Sequence, residues 1–226
     1  VGFLTGCLLR CQYCHNPDTW TMTNGLPVTV TRAAEELRKY RHGLKIMSGG
    51  LTVSGGEPLM QHRFVVKFFA AAKMMGVHTA LDTNGYYGDR LSDPDLDVID
   101  LVLLDIKAWD PERHRHLTGM DVEPTLAYAR RLAARRRPVW VRYVLVPGLT
   151  DDFGEIEQVA SFAAGLGNVE RVAVLPFHQM GRFKWETFAS VPEMRRNLMG
   201  SALMGIGGVM ALGCTVGQAI TGVSTL

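Results

Sequence analysis

Cys7, Cys11 and Cys14 fall within one short loop, separated by three residues and then by two. Thiolates this close together suit a single metallocofactor. A cubic four-iron cluster takes one protein ligand per iron. Three cysteines would hold three irons and leave the last iron open to a small molecule. A structural zinc site normally takes four ligands, and His15 would have to be the fourth. It adjoins Cys14, and neighbouring side chains rarely converge on one ion. A disulfide reading has only Cys214 left over as a further partner, and four cysteines in a chain of this size fit a reducing compartment. The spacing therefore favours an iron–sulfur site with an open position, with zinc as the alternative.

Further polar groups stand at the ends of apolar runs. Ser54-Gly55-Gly56-Glu57-Pro58 follows Leu51–Ser54, and the glycine pair lets a backbone approach a ligand closely. Asp82-Thr83-Asn84-Gly85, Asp105-Ile106-Lys107 and Pro176-Phe177-His178 end three other runs. Arg142 lies inside the apolar stretch Val139–Val146 and calls for an anionic partner, because an unpaired buried charge is costly. Such carboxylates and cations on one rim could meet a ligand's carboxylate, hydroxyls or amine.

The elements that must position these groups are legible as a pattern. Apolar runs at Val1–Thr5, Leu51–Ser54, Val77–Asp82, Leu101–Asp105, Val139–Val146 and Arg171–Pro176 predict six strands. Between them, Thr31–His42, Leu59–Met75, Pro124–Arg137 and Asp151–Leu166 predict helices, the first with Thr31 as N-cap. Strands alternating with helices imply βαβ units, right-handed crossovers and a parallel sheet. Polar groups at the C-terminal ends of most strands favour an α/β fold of open or partial (β/α)6 barrel type, with the site at that end.

Composition narrows the classes. The chain has 226 residues, 47% of them hydrophobic and 20% charged, and a net charge of +2. That is ordinary for a globular protein and argues against nucleic acid as a partner. The arginines at 130, 131, 135, 136 and 137 are expected to be a solvated helix end. From Asn197 to Leu226 there is no charged residue, and glycines punctuate the run. A charge-free stretch of this length could span a bilayer, and Gly213 with Gly217 suits close helix packing in lipid.

Together the motifs resemble a known family. Cys7-Leu-Leu-Arg-Cys11-Gln-Tyr-Cys14 matches the radical S-adenosylmethionine signature. Cys14-His-Asn-Pro-Asp-Thr-Trp20, Ser54-Gly-Gly-Glu57, Asp82-Thr-Asn-Gly85, Asp105-Ile-Lys107, Trp140-Val-Arg-Tyr143 and Leu175-Pro-Phe-His178 resemble the activating enzymes of pyruvate formate-lyase, over residues 2–188. No cysteine lies between Cys14 and Gly49, which resembles the single-cluster type.

The resemblance implies a cytoplasmic radical enzyme of anaerobic metabolism. Cys7, Cys11 and Cys14 would ligate a 4Fe–4S cluster whose open iron chelates S-adenosylmethionine. Tyr13 would lie near the adenine and Asn16 beside the cofactor, with Gly55, Gly56 and Glu57 at the amino group. Asp82, Lys107, Arg142 and His178 would position the ribose and methionine parts, with Val144 packed nearby. Asp82, Thr83 and Asp105 would also hold a monovalent cation. One electron, from a donor such as flavodoxin or ferredoxin, would cleave the sulfonium and generate a glycyl radical on pyruvate formate-lyase. Another glycyl radical partner is the nearer alternative.

Domain organisation is expected as an activase core at 1–188, incomplete at both ends, a junction at 189–196 and a membrane-like segment at 197–226. Gly200–Gly205 and Gly213-Cys-Thr-Val-Gly-Gln218 resemble the YeeE/YedE family of sulfur-compound transporters, with Cys214 on its Gly-Cys-Thr motif. The two resemblances imply either a fusion of unrelated fragments or a transporter piece carrying the barrel as a passenger.

Overall fold

A computed structural model describes residues 1–188. Six parallel strands form one sheet in the order of the chain: β1 (Gly2–Leu4), β2 (Gly50–Gly55), β3 (His78–Thr83), β4 (Leu101–Asp105), β5 (Val139–Leu145) and β6 (Val169–Pro176). Among the described residues β1 and β6 do not pair, so the sheet is an open, partial barrel rather than a closed one. The helices are α1 (Val30–Ile46), α2 (His62–Met74), α3 (Asp93–Leu96), α4 (Pro111–Thr118), α5 (Glu123–Ala134), α6 (Phe153–Leu166) and α7 (Arg182–Phe188). All six expected strands are present. The first helix begins two residues earlier than expected, because the Thr29 hydroxyl, not Thr31, accepts from the Arg32 amide. Three helices escaped the apolar pattern, α3, α4 and α7.

Alternation along each strand sorts residues between two faces. Leu51, Val53, Leu81, Val102, Leu104, Val139 and Val141 face outward into the main core, with Val65, Phe69, Leu126 and Leu132 from α2 and α5. Leu101 and Leu103 face the other way and pack with Ala80 and Trp140. Extending that parity by two residues puts Asp82, Asp105, Arg142 and Val144 on the inner face at the C-terminal strand ends. The register sets Asp105 beside Arg142. Thr83, next to Asp82, faces the opposite way.

The arginine-rich end of α5 is solvated and paired as expected. Arg131 and Arg135 meet Asp93, Arg137 meets Asp97, and Arg130 meets Glu123. Among the described residues no helix is long and apolar enough to cross a membrane. The expected junction and membrane-like segment lie outside the described residues.

Candidate functional site

The loop after β1 carries the three cysteines across the C-terminal end of the sheet. It is tied down on several sides. Gly6 and Cys7 donate backbone hydrogen bonds to the carbonyls of Thr19 and Trp20, at 2.6 and 3.3 Å. The Arg10 and Gln12 amides reach the carbonyls of Thr118 and Leu117 at the end of α4, at 2.7 and 3.0 Å. From the other flank the Gly56 and Glu57 amides donate to the carbonyls of Leu4 and Gly6. A Cβ at Gly56 would lie 2.5 Å from the Gly6 oxygen, and Gly55 has φ +128°. The glycine pair thus admits the backbone of the cysteine loop.

Cys7, Cys11 and Cys14 all carry free thiols and line one cavity of about 430 Å³. That volume suits a small-molecule site. Yet among the described residues no three side chains of His, Cys, Asp or Glu converge closely enough to hold a single ion. Thiols distributed around a shared cavity suit a polynuclear cluster better than a tetrahedral zinc ion. His15, the zinc alternative's fourth ligand, stacks instead on His178 with ring centroids 4.2 Å apart. Burial pushes all three thiols up, Cys11 to about 12. Without a cofactor they are neutral, and ligation must displace their protons.

Deeper in the same cavity lies a compact charge system. Arg142 Nε donates to Asp105 at 2.8 Å, while its terminal nitrogens engage both oxygens of Asp82. Lys107 Nζ is 2.7 Å from the other Asp105 oxygen. Ser54 donates to Asp82 at 2.7 Å. Burial raises Asp82 even against Arg142, whereas Arg142 and Lys107 outweigh burial and hold Asp105 low. The paired carboxylates in turn raise Lys107 and Arg142 despite their burial. Two carboxylates and two cations make a locally neutral site that can offer both charges to a zwitterion.

Tyr13 forms one wall, with Lys107 Nζ 6.0 Å from its ring centre. Its buried hydroxyl has no hydrogen-bond partner within the protein. Burial with no partner raises the Tyr13 phenol, so it stays a neutral donor. Val144 and Asn16 also line the cavity.

Glu57 and His178 sit outside the cavity lining, and Thr83 lines it but has its hydroxyl engaged elsewhere. The Glu57 carboxylate is buried and accepts from the Leu59 amide at 2.9 Å, the Thr83 hydroxyl at 2.6 Å and the Asn84 amide at 2.9 Å. It joins the turns after β2 and β3. The Thr83 hydroxyl therefore serves Glu57, not the Asp82–Asp105 pair; adjacent strand residues point to opposite faces. His178 stands behind His15, and its carbonyl lies 2.7 Å from His15 Nε2.

Ser54 belongs to the Ser-Gly-Gly-Glu motif without a role assigned to it, whereas Lys184 and Trp185 carried no sequence signal of their own. Ser54 fixes Asp82. Trp185 Nε1 donates to the Cys14 carbonyl at 2.8 Å. Lys184 bridges Asn16 and Asp18. Only the fold brings these distant positions to the loop.

Comparison with known proteins agrees with this arrangement. The radical SAM superfamily profile matches residues 1–163. The chain is 44% identical to the pyruvate formate-lyase 1-activating enzyme of Escherichia coli K12 over 187 residues, covering 82% of this chain and 76% of that one. It is 44% identical to the pyruvate formate-lyase-activating enzyme of Staphylococcus aureus over 201 residues, covering 86% and 80%. The chain belongs to the radical SAM superfamily. Within it, the chain groups with the pyruvate formate-lyase-activating enzymes. Among solved structures, SuiB of Streptococcus suis bound to S-adenosylmethionine gives a TM-score of 0.63 at 15% identity, over 88% of this chain and 45% of that one. A domain of a pyruvate-formate lyase-activating enzyme from Bacteroides vulgatus gives 0.52 at 24%, over 72% and 99%. These two show likeness of fold. A sulphur transport profile matches residues 173–226.

The cofactors of this family are a 4Fe–4S cluster and S-adenosylmethionine. The residues present fit both. Three free thiols share a cavity with a neutralised charge system and an orphaned phenol hydroxyl.

Proposed function

We propose that the chain is an activase that generates a glycyl radical on pyruvate formate-lyase. The observation that carries this reading is the single cavity joining the three free thiols to the Asp82–Arg142–Asp105–Lys107 system. Cys7, Cys11 and Cys14 would hold the cluster. Lys107 and Arg142 would meet the carboxylate of S-adenosylmethionine, and Asp82 and Asp105 its ammonium or hydroxyls. Tyr13 and Val144 would pack on its apolar parts, with the Tyr13 hydroxyl donating to the cofactor. Gly55, Gly56 and Glu57 would shape the amino-group side through backbone, since the Glu57 carboxylate is already engaged. His178 would act by holding His15. A monovalent cation at Asp82, Thr83 and Asp105 would compete with Arg142 for both carboxylates.

Bound here, cluster and S-adenosylmethionine supply one-electron chemistry that removes a hydrogen atom from a glycine of the partner. The protein's share is orientation and exclusion of water. Its two carboxylates and two cations would meet the charged groups of the cofactor. A small electron carrier such as flavodoxin or ferredoxin would deliver the electron in the cytoplasm.

A second reading attaches to the transport profile over residues 173–226. We assign 1–188 to the activase core, 189–196 to a junction and 197–226 to a transporter-like segment, joined by fusion of unrelated pieces. Helix α7 and the second half of strand β6, inside that profile's span, pack on the core, which supports a junction after Phe188. In a transporter, the barrel would be a passenger.

Anaerobic reconstitution with iron and sulfide, followed by reduction and electron paramagnetic resonance, tests the activase reading. We expect a reduced-cluster signal that changes when S-adenosylmethionine is added, and its loss in Cys11→Ala. A signal indifferent to S-adenosylmethionine would sink the open-site assignment.

A further inference from the structure

Helix α7 and the turn before it lie far from the cysteines in sequence, yet they close over that loop. Trp185 Nε1 donates to the Cys14 carbonyl at 2.8 Å, and the Trp185 ring meets Trp20 edge-on, with centroids 5.1 Å apart and planes at 85°. Lys184 Nζ lies 2.8 Å from Asn16 Oδ1 and 3.0 Å from Asp18 Oδ1. The approach is close enough that a Cβ at Gly181 would stand 2.6 Å from the His15 oxygen.

These contacts converge on Cys14. The Asn16 amide donates to Cys14 Sγ at 3.4 Å. Lys184 holds the Asn16 side chain and so keeps that amide aimed at the sulfur. Trp185 holds the peptide plane that leaves Cys14. Lys184 and Asp18 are largely shielded from water, so their contact is not easily exchanged for solvent. Lys184 is 22% exposed and Asp18 29%.

We propose that Gly181–Trp185 is a clamp that sets the place and electronic environment of the Cys14 sulfur, with Lys184 and Trp185 as positioning residues. The inference rests on the cluster reading above. Hydrogen bonds to ligating sulfur stabilise the reduced, more negative cluster and raise its potential. Lys184 also balances the Asp18 carboxylate, so its loss would leave that negative charge beside the loop and lower the potential. A clamp lost on either arm should therefore lower the midpoint potential and loosen the cluster. It also places residues 181–185 with the cysteine site, although they fall within the span of the sulphur transport profile.

The test uses the full chain, reconstituted anaerobically, as wild type, Trp185→Phe, Lys184→Met and Lys184→Arg. Trp185→Phe keeps an aromatic ring beside Trp20 and removes only the N–H donor, so it should fold even where Lys184→Met does not. Readouts are loss of cluster to a chelator, the midpoint potential followed by electron paramagnetic resonance, and melting of the cluster-free chain. We expect loss about 10-fold faster in Trp185→Phe and Lys184→Met, the usual scale for removing such a supporting partner. We also expect a lower potential, with Lys184→Arg restoring it. Melting unchanged beside an altered potential would separate positioning from mere packing. Wild-type potential and loss rate in Trp185→Phe and Lys184→Met would overturn the clamp. A wild-type chain that takes up no cluster would overturn the functional reading instead.

Discussion

At the scale of single residues, Glu57 is the least conventional carboxylate in the molecule. It is buried, faces three donors, and has no cation against it. Burial outweighs the donors and pushes it up to about 7 from 4.5. The folded chain then binds a proton that the unfolded chain has released. Its contribution to stability is full below about pH 4.5 and is lost as pH rises through about 7. A shift of that size corresponds to about 3 kcal/mol across the window. Urea unfolding of the cluster-free chain should show stability falling from about pH 5 to about pH 8. In Glu57→Gln the chain should be weaker throughout, because an amide cannot accept from every donor, but the slope should be shallower. An unchanged slope would mean that Glu57 stays ionised in the fold. Asp105 behaves oppositely, since Arg142 and Lys107 hold it low and its stabilisation persists until acid.

At the scale of elements, the site depends on how closely the cysteine loop lies against the turn after β2. Gly56→Ala would set a methyl 2.5 Å from the Gly6 oxygen and 2.9 Å from the Thr19 oxygen, both backbone atoms that cannot swing aside. The sheet should survive, since Val53 and Leu51 are unaffected, but the loop must shift. We expect near-wild-type circular dichroism with cluster uptake reduced by about 10-fold. Gly165→Ala in α6, where nothing lies within 4 Å, should leave uptake intact and stabilise by about 0.5–1 kcal/mol. Equal uptake in the two variants would show that the close approach is not what holds the loop.

The same elements show what was legible in sequence. Strands were, because buried parallel strands such as Leu101–Leu104 are continuous apolar runs. Period-two parity then carried Asp82, Asp105 and Arg142 to one face. Helix α4 was missed because Glu-Arg-His-Arg-His offers no apolar period, although Asp110, Pro111 and Gly119 mark its N-cap, first turn and left-handed stop. For Glu57 the direction of the side chain was not legible, for a different reason. Its neighbours line the cavity, and nothing in a string of residues says that its own side chain turns away. Lys184 and Trp185 were out of reach, since their role exists only through contacts made across the whole fold.

At the scale of the molecule, the described residues form a continuous structure from β1 to α7, and its last element closes on the loop that follows its first. This gives the boundary a physical meaning. The radical SAM profile ends at residue 163 and the sulphur transport profile begins at 173, yet β6 pairs with β5 along its length and α7 seats on the cysteine loop. A chain cut after residue 163 would lose the strand beside β5 and both arms on Cys14. A chain ending at Phe188 would keep every contact described above. Reconstituted side by side with the full chain, the form ending at Phe188 should take up the same cluster, show the same response to S-adenosylmethionine, and unfold in a comparable transition. If it took up none while the full chain did, residues beyond 188 would belong to the core, and the boundary placed at 189–196 would be wrong.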